Sequence, residues 1–135
     1  MNHWLVKSEP VKYSWEKFEK DGKACWDGVR NYAARNNLRA MKKGDLLLYY
    51  HSNEGLDIVG IAKVLKEAYQ DPTTTETAWL AVDIQPYKKL KKSIPLSQIK
   101  TDKILKGMEL VRLSRLSVST VTKEQFDRVL ELGGL

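Results

Sequence analysis

The sequence predicts an α+β domain in which a mixed, mostly antiparallel sheet curls toward a small barrel, with short helices around it. Three observations carry this reading. Apolar residues run without a break over 45–51 (DLLLYYH) and nearly so over 58–68 (IVGIAKVLKEA), the pattern of strands buried within a sheet. The segment from Thr122 to Gly133 carries a full set of helix signals. Strands and short helices are otherwise interspersed without βαβ alternation, and the connections are too short for parallel crossovers throughout. With 135 residues, no repeats and no linker, the chain reads as one domain over 1–135, large enough for a real core.

The first strand is His3 to Lys7, closed by Ser8-Glu9-Pro10, because Pro10 disfavours the helical region for the residue before it. Ser14 caps a short helix in which Trp15 and Phe18 face the core, and Asp21-Gly22 ends it. A loop around Trp26 leads into a helix from Arg30 to Met41, where Ala34, Leu38 and Met41 form one apolar stripe. The central strand follows over 45–51, then a turn at 52–55. In the strand over 58–68, Gly60 predicts a bulge or a close backbone approach. A polar loop covers 71–77. Trp79 to Gln85 alternates as a half-buried strand, and Pro86 predicts an edge or a strand end. Residues 88–92 (KKLKK) read as a solvated strand edge or loop, 94–99 and 101–108 as short helical pieces, and 110–118 as a last strand. Thr122 with Gln125 makes a capping box, Val121 with Phe126 the matching hydrophobic staple, and Gly133 ends the helix.

Composition narrows the functional classes. The 23 basic and 17 acidic residues give a net charge of +6, which favours polyanionic partners. Four Trp and six Tyr stand among those cations. Rings beside cations are what stacking on bases requires, although rings are also ordinary core material. No apolar run approaches a membrane span and no signal peptide is evident, so no membrane partner is expected. One Cys leaves no internal disulfide and too few ligands for structural zinc, so a reducing intracellular compartment is expected: cytoplasm in a prokaryote, nucleus in a eukaryote. Two isolated His and scattered Gly point to no metal and no cofactor. Cys25 with His51, or Glu9 with Asp27, are conceivable catalytic pairs, but neither carries a nucleophile or acid–base signature. No catalytic residue is expected, and a binding module outranks an enzyme.

The densest stretch is 26–39, WDGVRNYAARNNLR. Asp27-Gly28 is a turn signal. Asn31, Arg35 and Arg39 share one helix face away from the apolar stripe. A ring, an amide and a cation just outside a helix N-terminus suit a planar or anionic ligand. The same pattern also fits a core Trp beside a solvated basic face, and on the pattern alone that second reading is preferred. If the strand ends at 7–9 and 49–52 converge on Trp26, the cluster offers a ring for stacking and short polar groups that address a base edge.

The segments WLVKSEP (4–10), WDGVRNYAARNNLR (26–39), GDLLLYYHSN (44–53), VGIAKVLKEAYQDPT (59–73) and RLSRLSVSTVT (112–122) together resemble the EVE domain, nearly end to end and in the same order. The resemblance implies a PUA-like fold similar to YTH and ASCH domains. It also implies a pocket that accepts a modified base flipped out of DNA or RNA, in a reader without catalysis. Carried over by motif, the pocket residues are Ser8, Trp26, Asn31, His51 and Ser52, supported by Lys7, Glu9, Arg30 and Tyr49. Backbone phosphates are expected on Arg35, Arg39, Lys88, Lys89, Lys91 and Lys92. Family members often have a longer loop after the DPT motif. Here only five residues separate Thr73 from Trp79, which implies a more open pocket or a different base preference, and Ala33 points the same way. An effector protein is a possible further partner. Two rivals remain open: an enzyme or small-molecule binder acting on a modified nucleotide with Glu9 or His51 as base, and a protein-interaction domain.

Overall fold

The computed structural model describes residues 1–135. Six strands form one mixed sheet: β1 (His3–Ser8), β2 (Ala24–Trp26), β3 (Leu46–His51), β4 (Asp57–Gln70), β5 (Leu80–Pro95) and β6 (Val118–Val121). Their order is β2-β5-β4-β3-β1-β6, and every pairing is antiparallel except β1 with β3. That one parallel pair needs a long crossover, and the chain supplies it with α1 (Pro10–Tyr13), α2 (Trp15–Asp21), β2 and α3 (Tyr32–Ala40). The outer strands β2 and β6 do not pair, so the curled sheet stays open.

Both faces of the sheet are covered, which is why its central strands read as unbroken apolar runs. Trp4, Val6, Leu47 and Tyr49 point to one side and pack with Trp15 and Phe18 of α2 and Ala34 and Leu38 of α3. Leu5, Leu48 and Tyr50 point to the other and pack with Ile99 of α4 (Leu96–Thr101), Leu110 of α5 (Glu109–Arg112) and Phe126 and Val129 of α6 (Lys123–Leu132). At Gly60 a side chain would meet the Trp15 ring, since an added Cβ would lie 2.6 Å from Cη2. The register also shifts between Ile58 and Gly60, so this glycine serves both a bulge and a close approach. The helix signals are realised as well. Ser14 Oγ accepts the Lys17 N–H, and Thr122 and Gln125 exchange both bonds of the capping box.

Several expectations need correction. Residues 24–26 are a strand, antiparallel to Val82–Ile84, where a loop was expected. Residues 10–13 form an unexpected helix, because Pro at the first helical position is a start signal as well as a strand stop. Pro86 lies inside β5. There β5 has a neighbour on the β4 side alone, since β2 covers it only over 82–84, and a strand open on one side tolerates proline. The expected strand over 110–118 is instead α5, a turn and then β6, which starts at Val118.

Candidate nucleic-acid interface

Because β1 and β3 run parallel, their last residues, Ser8 and His51, lie opposite one another. The KSEP and YHSN segments therefore meet at one rim of the sheet, where the Ser52 N–H donates to the Ser8 carbonyl at 2.9 Å. The curl brings β2 and the 27–30 turn to the same rim. A cavity of about 940 Å³ opens between them, closed on a third side by 114–117. Of the residues expected to form the pocket, Lys7, Ser8, Glu9, Trp26, Arg30 and Ser52 line it.

The three others do not line it, and Asn31 stands exposed beside it, in a neighbouring cleft with Ser114 and Arg115. Tyr49 is fully buried, and its hydroxyl donates to the Tyr13 carbonyl at 2.8 Å. Burial pushes its pKa up to about 12. His51 Nε2 accepts the free N–H of Trp15 at 3.1 Å, which pins the start of α2 to the end of β3 and leaves the ring proton on Nδ1. Asn31 is the N-cap of α3, with its side-chain oxygen accepting the Ala34 N–H at 3.0 Å. Helix α3 thus begins at Tyr32, later than the Arg30 start expected, because Asn31 caps it from an extended conformation.

Trp26 is half-buried, with its ring 5.7 Å from Tyr49 and 6.4 Å from Tyr13, both edge-on. Ser8 Oγ donates to the Tyr13 carbonyl at 2.7 Å and keeps its lone pairs as acceptors. The turn after Trp26 is held by Asp71, a residue the sequence placed in an anonymous polar loop. Its carboxylate is fully buried and accepts from the Gly28 N–H (2.8 Å), the Arg30 guanidinium (2.9 Å), and the Thr73 N–H (2.7 Å) and hydroxyl (2.6 Å). Burial alone would raise its pKa, but the bonds from Thr73, Arg30 and Gly28 outweigh that and hold it well below the usual carboxylate range. Gly28 has φ +76°, so the turn needs a residue without a Cβ at this position.

The electrostatics favour an anion. Lys7, Lys12, Lys23, Arg30 and Arg115 line the cavity against Glu9, Asp21 and Asp27. Lys7 donates to the Ser114 carbonyl, Lys12 faces Glu9 and Arg30 faces Asp71, whereas Lys23 and Arg115 have no partner within the protein. Neither Lys12 nor Lys23 had a pattern that singled it out, and Arg115 was assigned to a strand. Arg35 donates to the Ala78 carbonyl, and Arg39 lies exposed on α3. Lys88, Lys89, Lys91 and Lys92 are exposed on β5, where Lys91 and Lys92 bond through their N–H groups to Gly133 at the end of α6. None of these six lines the cavity. Cys25 is exposed at the cavity wall, and desolvation of its thiol pushes its pKa up. No group of three or more His, Cys, Asp or Glu side chains stands close enough to hold a metal ion, and no helix is long and apolar enough to cross a membrane.

The fold is shared with a class of small domains. An ASCH protein from Zymomonas mobilis, 11% identical, superposes with a TM-score of 0.61 over 97% of this chain and 95% of its own, a likeness of fold alone. The model of the EVE domain matches residues 2–132. Thymocyte nuclear protein 1 from Mus musculus is 41% identical over 165 aligned positions, covering 97% of this chain and 73% of that protein. A crystal structure of a protein from Agrobacterium tumefaciens is 46% identical with a TM-score of 0.98, covering 100% of this chain and 94% of the other. Human THYN1, solved in complex with 5-methylcytosine-containing DNA, is 39% identical with a TM-score of 0.91 over 100% of this chain and 99% of its own. The chain belongs to the EVE domain family. An alignment of 165 positions exceeds this chain of 135 residues, so the mouse relative carries at least 30 residues that have no counterpart here.

Proposed function

We propose that this protein is a non-catalytic reader of modified bases in DNA, which holds a flipped base, 5-methylcytosine being the first candidate, in the rim cavity. The observation that carries the reading is the cavity itself. A half-buried Trp26 supplies a stacking surface, Ser8 and Ser52 supply short polar groups, and two unpartnered cations stand on its wall. A relative 39% identical over the whole chain was solved with DNA containing that base. Stacking on the ring would hold the base while polar contacts to its edge identify it. Lys23 and Arg115 would take the flanking phosphates, and the β5 lysines would add long-range attraction. Such a reader would work wherever its DNA is, in the nucleus of a eukaryote or the cytoplasm of a prokaryote.

The test is Trp26→Ala. Loss of one base–ring stack costs about 1–3 kcal/mol. The variant is expected to bind modified and unmodified oligonucleotides alike, weakly and in a salt-dependent way. Undiminished discrimination would remove Trp26 from the site. Incubation with modified nucleosides across a pH range is expected to give no product, and turnover at any pH would favour the enzyme reading.

A further inference from the structure

Beside the cavity lies a second aromatic and cationic cluster. Tyr32, at the first turn of α3, is 62% exposed although it is a large ring. Its ring lies 4.9 Å from that of Trp79, tilted by 31°. The Arg35 guanidinium lies over Tyr32 at 5.1 Å, and that of Arg30 over Trp79 at 5.5 Å. Four planar groups thus form one row, in the order Arg30, Trp79, Tyr32, Arg35. Three of the four are held in place from outside the row. Trp79 Nε1 donates to Glu76 at 2.9 Å, Arg35 donates to the Ala78 carbonyl at 2.8 Å, and Arg30 is bound by buried Asp71. Arg30 also lines the cavity, so the row begins at the cavity wall.

Holding the 71–79 loop against α3 does not require an exposed Tyr ring, nor two cations laid over the rings. Exposed rings beside guanidinium groups are the chemistry that stacks on bases and contacts the backbone around them. A base drawn into the cavity leaves its neighbours in the strand without a stacking partner on one side. We propose that this row is a second nucleotide contact, in which a base adjacent to the one held in the cavity stacks on the far end of the row, the Arg35 guanidinium backed by the Tyr32 ring. The proposal rests on the reader function above for its geometry, but its test does not depend on that function.

The experiment measures affinity of the full chain for oligonucleotides that match except for one 5-methylcytosine, over a series of salt concentrations. It compares wild type with Tyr32→Ala, Tyr32→Leu and Tyr32→Phe. Loss of the ring that backs Arg35, and with it of one stack, predicts that Tyr32→Ala and Tyr32→Leu weaken binding to both oligonucleotides about tenfold. The ratio between the two oligonucleotides and the salt slope are expected to stay unchanged, and Tyr32→Phe to bind as wild type does. Leu keeps apolar bulk against Trp79, so a loss in that variant cannot be ascribed to a collapsed loop. Affinity within twofold of wild type in the Leu variant would overturn the proposal. So would a fall in the modified-to-unmodified ratio, which would mean that the row only shapes the cavity. If wild type fails to discriminate, the reader function fails, yet the tenfold loss on unmodified DNA still decides for or against the row.

Discussion

Removing the Asp71 carboxylate tests how the site is held. Its oxygens accept four bonds, two from Thr73 and one each from Gly28 and Arg30. A hydrogen bond to a charged group contributes about 1.5–3 kcal/mol when its partner is left dry. The Arg30 side chain is 40% exposed and can turn to water, so its share falls to that of a surface pair, at most about 1 kcal/mol. Gly28 and Thr73 also stand at exposed positions, so their released donors regain water in part and Asp71→Ala should cost about 2–3 kcal/mol in all, which for a chain of this size lowers Tm by roughly 6–15 °C. The pH dependence follows from the sign of the shift. The folded-state pKa lies below the ordinary 3.8, so the stabilisation is complete above that value and is lost as pH falls through it toward the folded pKa. The difference in stability between wild type and Asp71→Asn, followed by urea titration, should be constant from pH 8 to pH 5 and shrink below about pH 4. The same variants should discriminate modified DNA less well, since the turn carrying Trp26 is tied through Gly28. A Tm within 2 °C of wild type for Asp71→Ala, or a difference that grows on acidification, would refute the reasoning.

Gly60→Ala should destabilise the fold by about 1–3 kcal/mol, because the new methyl would lie 2.6 Å from a fully buried Trp15 ring, and thermal unfolding checks it. Thr122→Ala removes the side-chain half of the capping box and should cost about 1 kcal/mol, read from urea midpoints, with DNA binding untouched. Replacing Lys23 and Arg115 together by Ala should reduce the slope of log affinity against log salt by about 2, one phosphate each, and leave base discrimination intact. The same double replacement at Lys91 and Lys92, which stand beside the end of α6, should change the slope less.

Much of this architecture was legible because it rests on local chemistry. Thr122 and Gln125 announce their helix within four residues, and the run from Leu46 to His51 announces a strand buried on both faces. Gly60 marked a close approach before its partner, Trp15, was known. The convergence of Ser8 and Ser52 could be posed as a condition only, since a parallel pairing of β1 with β3 is a long-range choice that no local pattern records. The same limit explains the site. Asn31 and His51 have the right chemistry for a base edge, and one polar atom of each also holds structure, Asn31 Oδ1 bonding to Ala34 and His51 Nε2 to Trp15. Asp71 was hidden because a carboxylate in a polar loop looks solvated until the turn carrying Gly28 folds over it. Arg115 was missed because α5 replaced an expected strand and swung that residue to the cavity wall.

The most direct test of the central claim is binding of the purified protein to matched duplexes with and without a single 5-methylcytosine, at low and at physiological salt. Reading of the base in the cavity predicts that overall affinity falls at the higher salt while the preference for the modified duplex persists. Weak binding, indifferent to the modification and abolished by salt, would show that only the basic surface is at work and would contradict the account.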